Sequence, residues 1–306
     1  MAARRAAGAA VFPVELDQPT AAVPPLVESY RRLAEVFHHV LSEEHLDNLL
    51  GRIADTLAEL VPYDALHVYE ADDAARELVP TLARTCLQDA MPTTLSLLFG
   101  GHAGLIRRRA QELRHSLEAL HLVALGGTVI GSGEGAPVRY RERVVPLLAA
   151  RAGVELRPHP SPCDLLQNSD DVGLVSAQLA LLAHGLAKIA RDLRLLGSGP
   201  RGGLGEFVLP HVQEGSSFFT DKSNPVVPET LLQACFQVLG CDRAVQAVLE
   251  QAELYLNVFD GLAALNVLDA LAWLSNAVSR FDEGCMRGLV ANEARCRELA
   301  AFGRTS

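Results

Sequence analysis

Aromatic side chains are scarce in this chain, at 5% of 306 residues with a single tryptophan. With Leu and Ala dominant instead, the composition moves weight from strand-rich cores to helices packed on helices. Basic residues are also short: 27 Lys and Arg face 37 Asp and Glu, and the net charge is −10. No dense Lys/Arg stripe breaks that balance, so nucleic acid is not an expected partner. No uninterrupted apolar run reaches the roughly 18–20 residues that span a bilayer, so a membrane is not expected either. The N-terminal stretch MAARRAAGAAVF has two arginines but no apolar core of the kind a signal peptide carries. Six cysteines (Cys86, Cys163, Cys235, Cys241, Cys285, Cys296) show neither CxxC nor Cys/His spacing. No metal or other cofactor is expected from them, and they read as reduced thiols of a cytoplasmic protein. The ten histidines are scattered, and His38-His39 reads as a partly exposed helical pair rather than a metal site. GSGEG at 131–135 lacks the Lys-Ser/Thr and the preceding strand of a phosphate loop.

What is present is a long helical pattern. At 49% hydrophobic, the chain can bury one large core or two modest ones. Residues 1–25 are Ala/Pro-rich and aperiodic, which predicts a loose tail. Two amphipathic helices are expected over 26–41 and 42–60, followed by strands ALHVYEA and ELVPTLA joined by the turn DDAAR. This helix–helix–hairpin unit, residues 26–84, resembles the first half of a GAF domain and assigns no ligand by itself. From Pro92 the pattern predicts a helix over 93–124 with Leu105, Leu113, Leu117 and Leu120 inward, stopping at Gly126-Gly127, and a second over 140–153. Residues 171–197 give the clearest helix, since Leu179, Leu182, Leu186, Ile189, Leu193 and Leu196 are spaced as the seam of a bundle. A further helix is expected from Pro228 through Leu239. One or two more follow over 243–281, with Leu254, Val258, Leu262, Leu265 and Leu268 on one stripe. The expected architecture is mainly α: a bundle of long helices over 85–306, with a small α/β unit before it.

One stretch is not explained by packing. Residues 215–229 read GSSFFTDKSNPVVPE. Such a mixture is ordinary for a surface turn. It also suits a loop that closes over an anion, with Gly215 admitting backbone N–H groups, Ser216 and Ser217 offering hydroxyls and Lys222 a positive charge. The stretch resembles the GSSxMPxKxNP signature of the aspartase/fumarase superfamily. Four other segments agree in the same order: TCLQDAMPTTL (85–95), LGGTVIGSG (125–133), DLLQNSDDVGLVSAQL (164–179) and DLRLLGSGPRGGLGEFVLP (192–210). Their wording is closer to aspartate ammonia-lyases than to fumarases.

The resemblance implies β-elimination from a succinate-type, aspartate-like substrate to give fumarate and an amine. It places Ser216 as base and Glu229 as the acid that pairs with a histidine in fumarases. Lys222 and Asn224, with Ser217, hold the substrate carboxylate, and Thr85 and Gln88 come from the substrate-binding region. It implies a small dicarboxylate substrate and a homotetramer, because the family builds each site from three subunits. Departures accompany it. Cys86 stands where His or Gln is usual, Phe219-Thr220-Asp221 replaces Met-Pro-Gly, and Asp170 lies about where fumarases have that histidine. Asp221 sets a negative charge beside Lys222. No counterpart of the family's N-terminal Thr and Ser-Ser-Asn contacts precedes Thr85. The alternatives are therefore a catalytically impaired scaffold or regulatory protein, half of a split lyase whose partner subunit supplies those contacts, or, among enzymes, a fumarate hydratase.

Overall fold

A computed structural model describes residues 79–302 apart from Ser216, Thr220 and Asp221. The expected tail, both N-terminal helices and the strand ALHVYEA fall outside the described residues.

The described chain opens with an antiparallel hairpin of β1 (Pro80–Thr85) and β2 (Gln88–Thr94). It continues through α1 (Leu95–Leu117), a 3-10 turn (Glu118–His121), β3 (Leu122–Val123), α2 (Val138–Ala152), β4 (Arg157–Pro158) and α3 (Pro162–Gln167). The long helix α4 (Asp170–Leu196), β5 (Phe207–Val208), α5 (Val226–Leu249) and α6 (Asp260–Gly284) come next. A 3-10 turn (Met286–Gly288), β6 (Val290–Ala291) and α7 (Glu293–Phe302) complete the fold. The fold is mainly α, as expected. The short strands are ties: β3 pairs parallel with β4, and β5 antiparallel with β6.

At the centre, α4 packs against α5, α1 and α6. Its seam is buried as the spacing predicts, with Leu179, Leu182, Leu186, Ile189 and Leu193 inward. Facing it are Phe99 and Ile106 of α1, Leu231, Cys235 and Val238 of α5, and Leu274 and Phe281 of α6. Gly185 lets α1 approach closely, for a Cβ there would come 3.0 Å from Leu105 Cδ2. By length and apolar content α4 and the span 260–288 could cross a bilayer. In this fold their apolar stripes form the bundle seam instead.

Three expectations need correction. The strand after ELV runs Pro80–Thr85 and pairs forward with Gln88–Thr94, a strand the pattern did not reveal. α1 ends at Leu117; Leu113 is buried as expected, but the rest of the buried stripe is Phe99, Ala103, Ile106 and Ala110, whereas Leu105 and Leu117 are only partly buried. The stripe that starts at Leu254 is interrupted. Leu254 and Val258 lie in the connection between α5 and α6, 84% and 67% exposed. Asn257 organises that connection. Its backbone N–H donates to the Leu166 carbonyl (2.8 Å), its amide donates to the Val248 carbonyl (3.2 Å), and its side-chain oxygen accepts from Phe259 N–H (3.0 Å). A buried side chain satisfying two backbone groups, beside the residue's own N–H bond, holds the chain out of helix where apolar periodicity alone would continue it.

Candidate active site

The residues singled out by the sequence gather at two ends of α4. At its C-terminal end sits the tip of the hairpin. Thr85 and Gln88 are paired across the ladder, leaving Cys86 and Leu87 as a two-residue turn with φ of 53° and 61°. Turns of this hand normally use Asn-Gly, because a Cβ is disfavoured at positive φ. Here Cys and Leu occupy it, and Leu87 is 73% exposed, so no packing compensates. Strain without a packing reason is characteristic of functional segments. Thr85 and Gln88 are both exposed, and Gln88 Nε2 donates to the Leu87 carbonyl (3.3 Å).

Cys86 is the exposed thiol of the described set. Burial pushes Cys235 and Cys285 up to about 12 and Cys296 up to about 11, so those three are inert at neutral pH. Iodoacetamide at pH 8 is expected to modify Cys86 in the native protein and to leave these three unlabelled. Peptide mass mapping checks it.

The signature loop belongs to the connection between α4 and α5. That connection is anchored where Glu206 N–H donates to the Leu196 carbonyl (2.8 Å) and Gly205 N–H to the Ser198 carbonyl (2.8 Å). Further on, the chain pinches on itself. A Cβ on Gly215 would overlap the Lys222 carbonyl, so only glycine fits there. Asn224 Nδ2 donates to the Gly215 carbonyl (3.1 Å), and Lys222 N–H donates to the Phe219 carbonyl (3.1 Å). Within the pinch, Ser217 and Lys222 are exposed, and Phe218 and Phe219 form an edge-to-face pair 4.9 Å apart. Asn224 thus braces the loop and keeps one amide hydrogen for another acceptor. Ser216 and Asp221 fall outside the described residues.

Glu229 stands in the first turn of α5 and accepts from Arg194 Nη2 (3.1 Å), in the last turn of α4. Each charge sits at the helix end whose dipole favours it. Both side chains are over a third exposed, so the pair is worth at most about 1 kcal/mol and serves orientation. The partner of Glu229 in this chain is thus an arginine that no motif singles out. A basic residue closing the helix seam was the available signal.

Asp170 lies at the other end. From Asp170 to Arg194 the helix advances about 36 Å at 1.5 Å per residue. Asp170 and Glu229 therefore do not meet within one chain. Around Asp170 a cavity of about 360 Å³ is lined by His159, Asp164, Asn168, Ser169 and Asp171. The Asp171 carboxyl is pushed above the usual range, chiefly by burial and then by the charges of Asp170 and Asp164, with His159 opposing. Among the described residues no group of three His, Cys, Asp or Glu is arranged to hold a metal.

The described residues thus form a helical bundle with a strained hairpin and a glycine-pinched loop at one end of α4 and a polar cavity at the other. Residues 64–240 match the family described as Lyase, and the chain belongs to that family, within the aspartase/fumarase superfamily. It is 40% identical to the aspartate ammonia-lyase of Pseudomonas fluorescens over 82% of this chain and 53% of that protein. It is 38% identical to the class II fumarate hydratase of Thermosynechococcus vestitus over 80% of this chain and 51% of that protein. The crystal structure of a fumarate lyase:delta crystallin from Brucella melitensis bound to cobalt superposes with a TM-score of 0.77. It is 34% identical, and the match covers 87% of this chain and 56% of that one. The class II fumarase of Schistosoma mansoni, 24% identical, superposes at 0.76 over 85% of this chain and 55% of that one, and shares the fold. The chain spans about half the length of the curated relatives it matches.

Proposed function

We propose that this chain is a lyase subunit that eliminates an amine from an aspartate-like dicarboxylate to give fumarate. The observation that carries the reading is the pinched loop 215–224. It presents Ser217 and Lys222 outward from a frame held by Gly215 and Asn224, in the spacing of the superfamily signature. In the reaction Ser216 takes the proton from the carbon next to a carboxylate. The C–H electron pair is left on that carbon as a carbanion and then forms the double bond as the C–N bond breaks, the C–N pair leaving with the amine. The costly species is the carbanion delocalised into the carboxylate, which Lys222 and loop N–H groups stabilise. Serine acts as a base only where such donors favour its alkoxide. Asn224 and Ser217 hold the same carboxylate, Thr85 and Gln88 the rest of the substrate, and Glu229, set by Arg194, carries the acid position.

The separation of about 36 Å along α4 supports an assembled site, because the Asp170 end and the Glu229 end can be neighbours only between copies. A homotetramer is the assembly proposed. L-aspartate, followed by fumarate absorbance, is the test substrate, with malate as the second arm. Fumarate from malate alone would make the protein a hydratase. No fumarate from either, in a folded oligomer, would replace the elimination reading with a non-catalytic scaffold.

A further inference from the structure

Glu206 is the least expected residue of the fold: a carboxylate with no exposure, whose side-chain partners lie more than a hundred positions earlier in the chain. Arg84 Nη1 donates to its Oε2 (2.8 Å), and Thr81 Oγ1 donates to its Oε1. Its backbone carbonyl accepts from Asn292 N–H (2.8 Å) and from the Cys296 thiol (3.5 Å). Its own N–H closes onto Leu196, the last residue of α4. One residue thus joins the hairpin strand, the end of the central helix and the start of α7.

A pair this deeply buried is a poor way to gain stability, since desolvation offsets most of its attraction, and apolar side chains could fill the space as well. What apolar side chains cannot do is fix direction. Arg84 also donates to the Leu82 carbonyl (3.3 Å), so its guanidinium is oriented by its own strand before it meets Glu206. Arg84 immediately precedes Thr85, and the strained turn begins one residue later. We infer that the buried Arg84–Glu206 pair, with Thr81, is a positioning device that fixes the hairpin tip so that Thr85 and Gln88 are presented to the dicarboxylate. This inference rests on the elimination reading for its substrate. The tether itself is tested independently of it.

The experiment uses the intact oligomer and two variants. Glu206→Gln keeps the shape and one acceptor but leaves the Arg84 charge only the exposed Asp89 carboxylate, 3.8 Å from its Nε. The double variant Arg84→Met/Glu206→Gln removes that charge and keeps the fold. Amide hydrogen exchange is followed over 80–94 and, as reference, over 175–193, alongside kcat and KM for L-aspartate. Expected for the double variant are at least tenfold faster exchange in the hairpin, unchanged protection in α4, and a KM raised about tenfold with kcat within threefold. That split marks lost substrate holding rather than lost chemistry. A double variant with wild-type hairpin exchange overturns the tether. Faster exchange with unchanged KM overturns the positioning role and leaves only a structural one. Should wild-type protein turn over no substrate, the elimination reading falls, and the positioning role with it. Hairpin exchange still reports separately on the tether.

Discussion

Ser216→Ala is expected to lower kcat for fumarate formation by roughly 10²–10⁴, the span lost when a positioned proton-abstracting group is removed. The protein should stay folded, because a loop hydroxyl contributes little to the bundle core. Lys222→Ala behaves differently on the same reading. Its charge both holds the carboxylate and stabilises the carbanion, so KM rises and kcat falls together. Asp221→Gly is expected to lower KM by removing the negative charge beside Lys222. Steady-state kinetics with L-aspartate, beside circular dichroism of each variant, decides the matter. Equal rates for wild type and Ser216→Ala would remove the serine from the chemistry.

Leu186→Ala is expected to destabilise the protein by about 3–5 kcal/mol in urea unfolding at fixed protein concentration. Leu186 is fully buried at the middle of α4, where α1, α5 and α6 converge. Truncation removes its transfer energy and leaves a cavity that three rigid neighbours cannot fill. Leu181, one face away on the same helix, is 44% exposed, and its change to alanine should cost under about 1 kcal/mol. Equal losses at the two positions would contradict the seam.

The helix seam was legible because every position from Leu179 to Leu193 obeys one spacing and nothing local competes with it. The α5–α6 connection was not, since Leu254 and Val258 keep the apolar period while Asn257 diverts the backbone through hydrogen bonds that periodicity does not encode. α5 runs past the expected end at Leu239 because Gly240 points into open space and costs only propensity. Strand β2 was hidden by its turn, which lacks Asn-Gly, and by Pro92, which reads as a breaker although it occupies a ladder position opposite Leu82. At the site, the loop residues announce themselves by local wording. Arg194 and Glu206 do not, because their roles arise from contacts 35 and 122 positions away along the chain.

The closure at Gly215 makes the loop a cassette. Gly215 is set against the Lys222 carbonyl and Asn224 is bonded back across the neck, so the two anchors of the frame lie outside the side chains carried between them. The edge-to-face pair of Phe218 and Phe219 lies between these two anchors, and α5 starts at Val226 just beyond them. Shape and chemistry are thus carried by different residues: on the elimination reading a change at Ser217 or Lys222 alters turnover with the neck intact, whereas a change at Gly215 alters the loop itself.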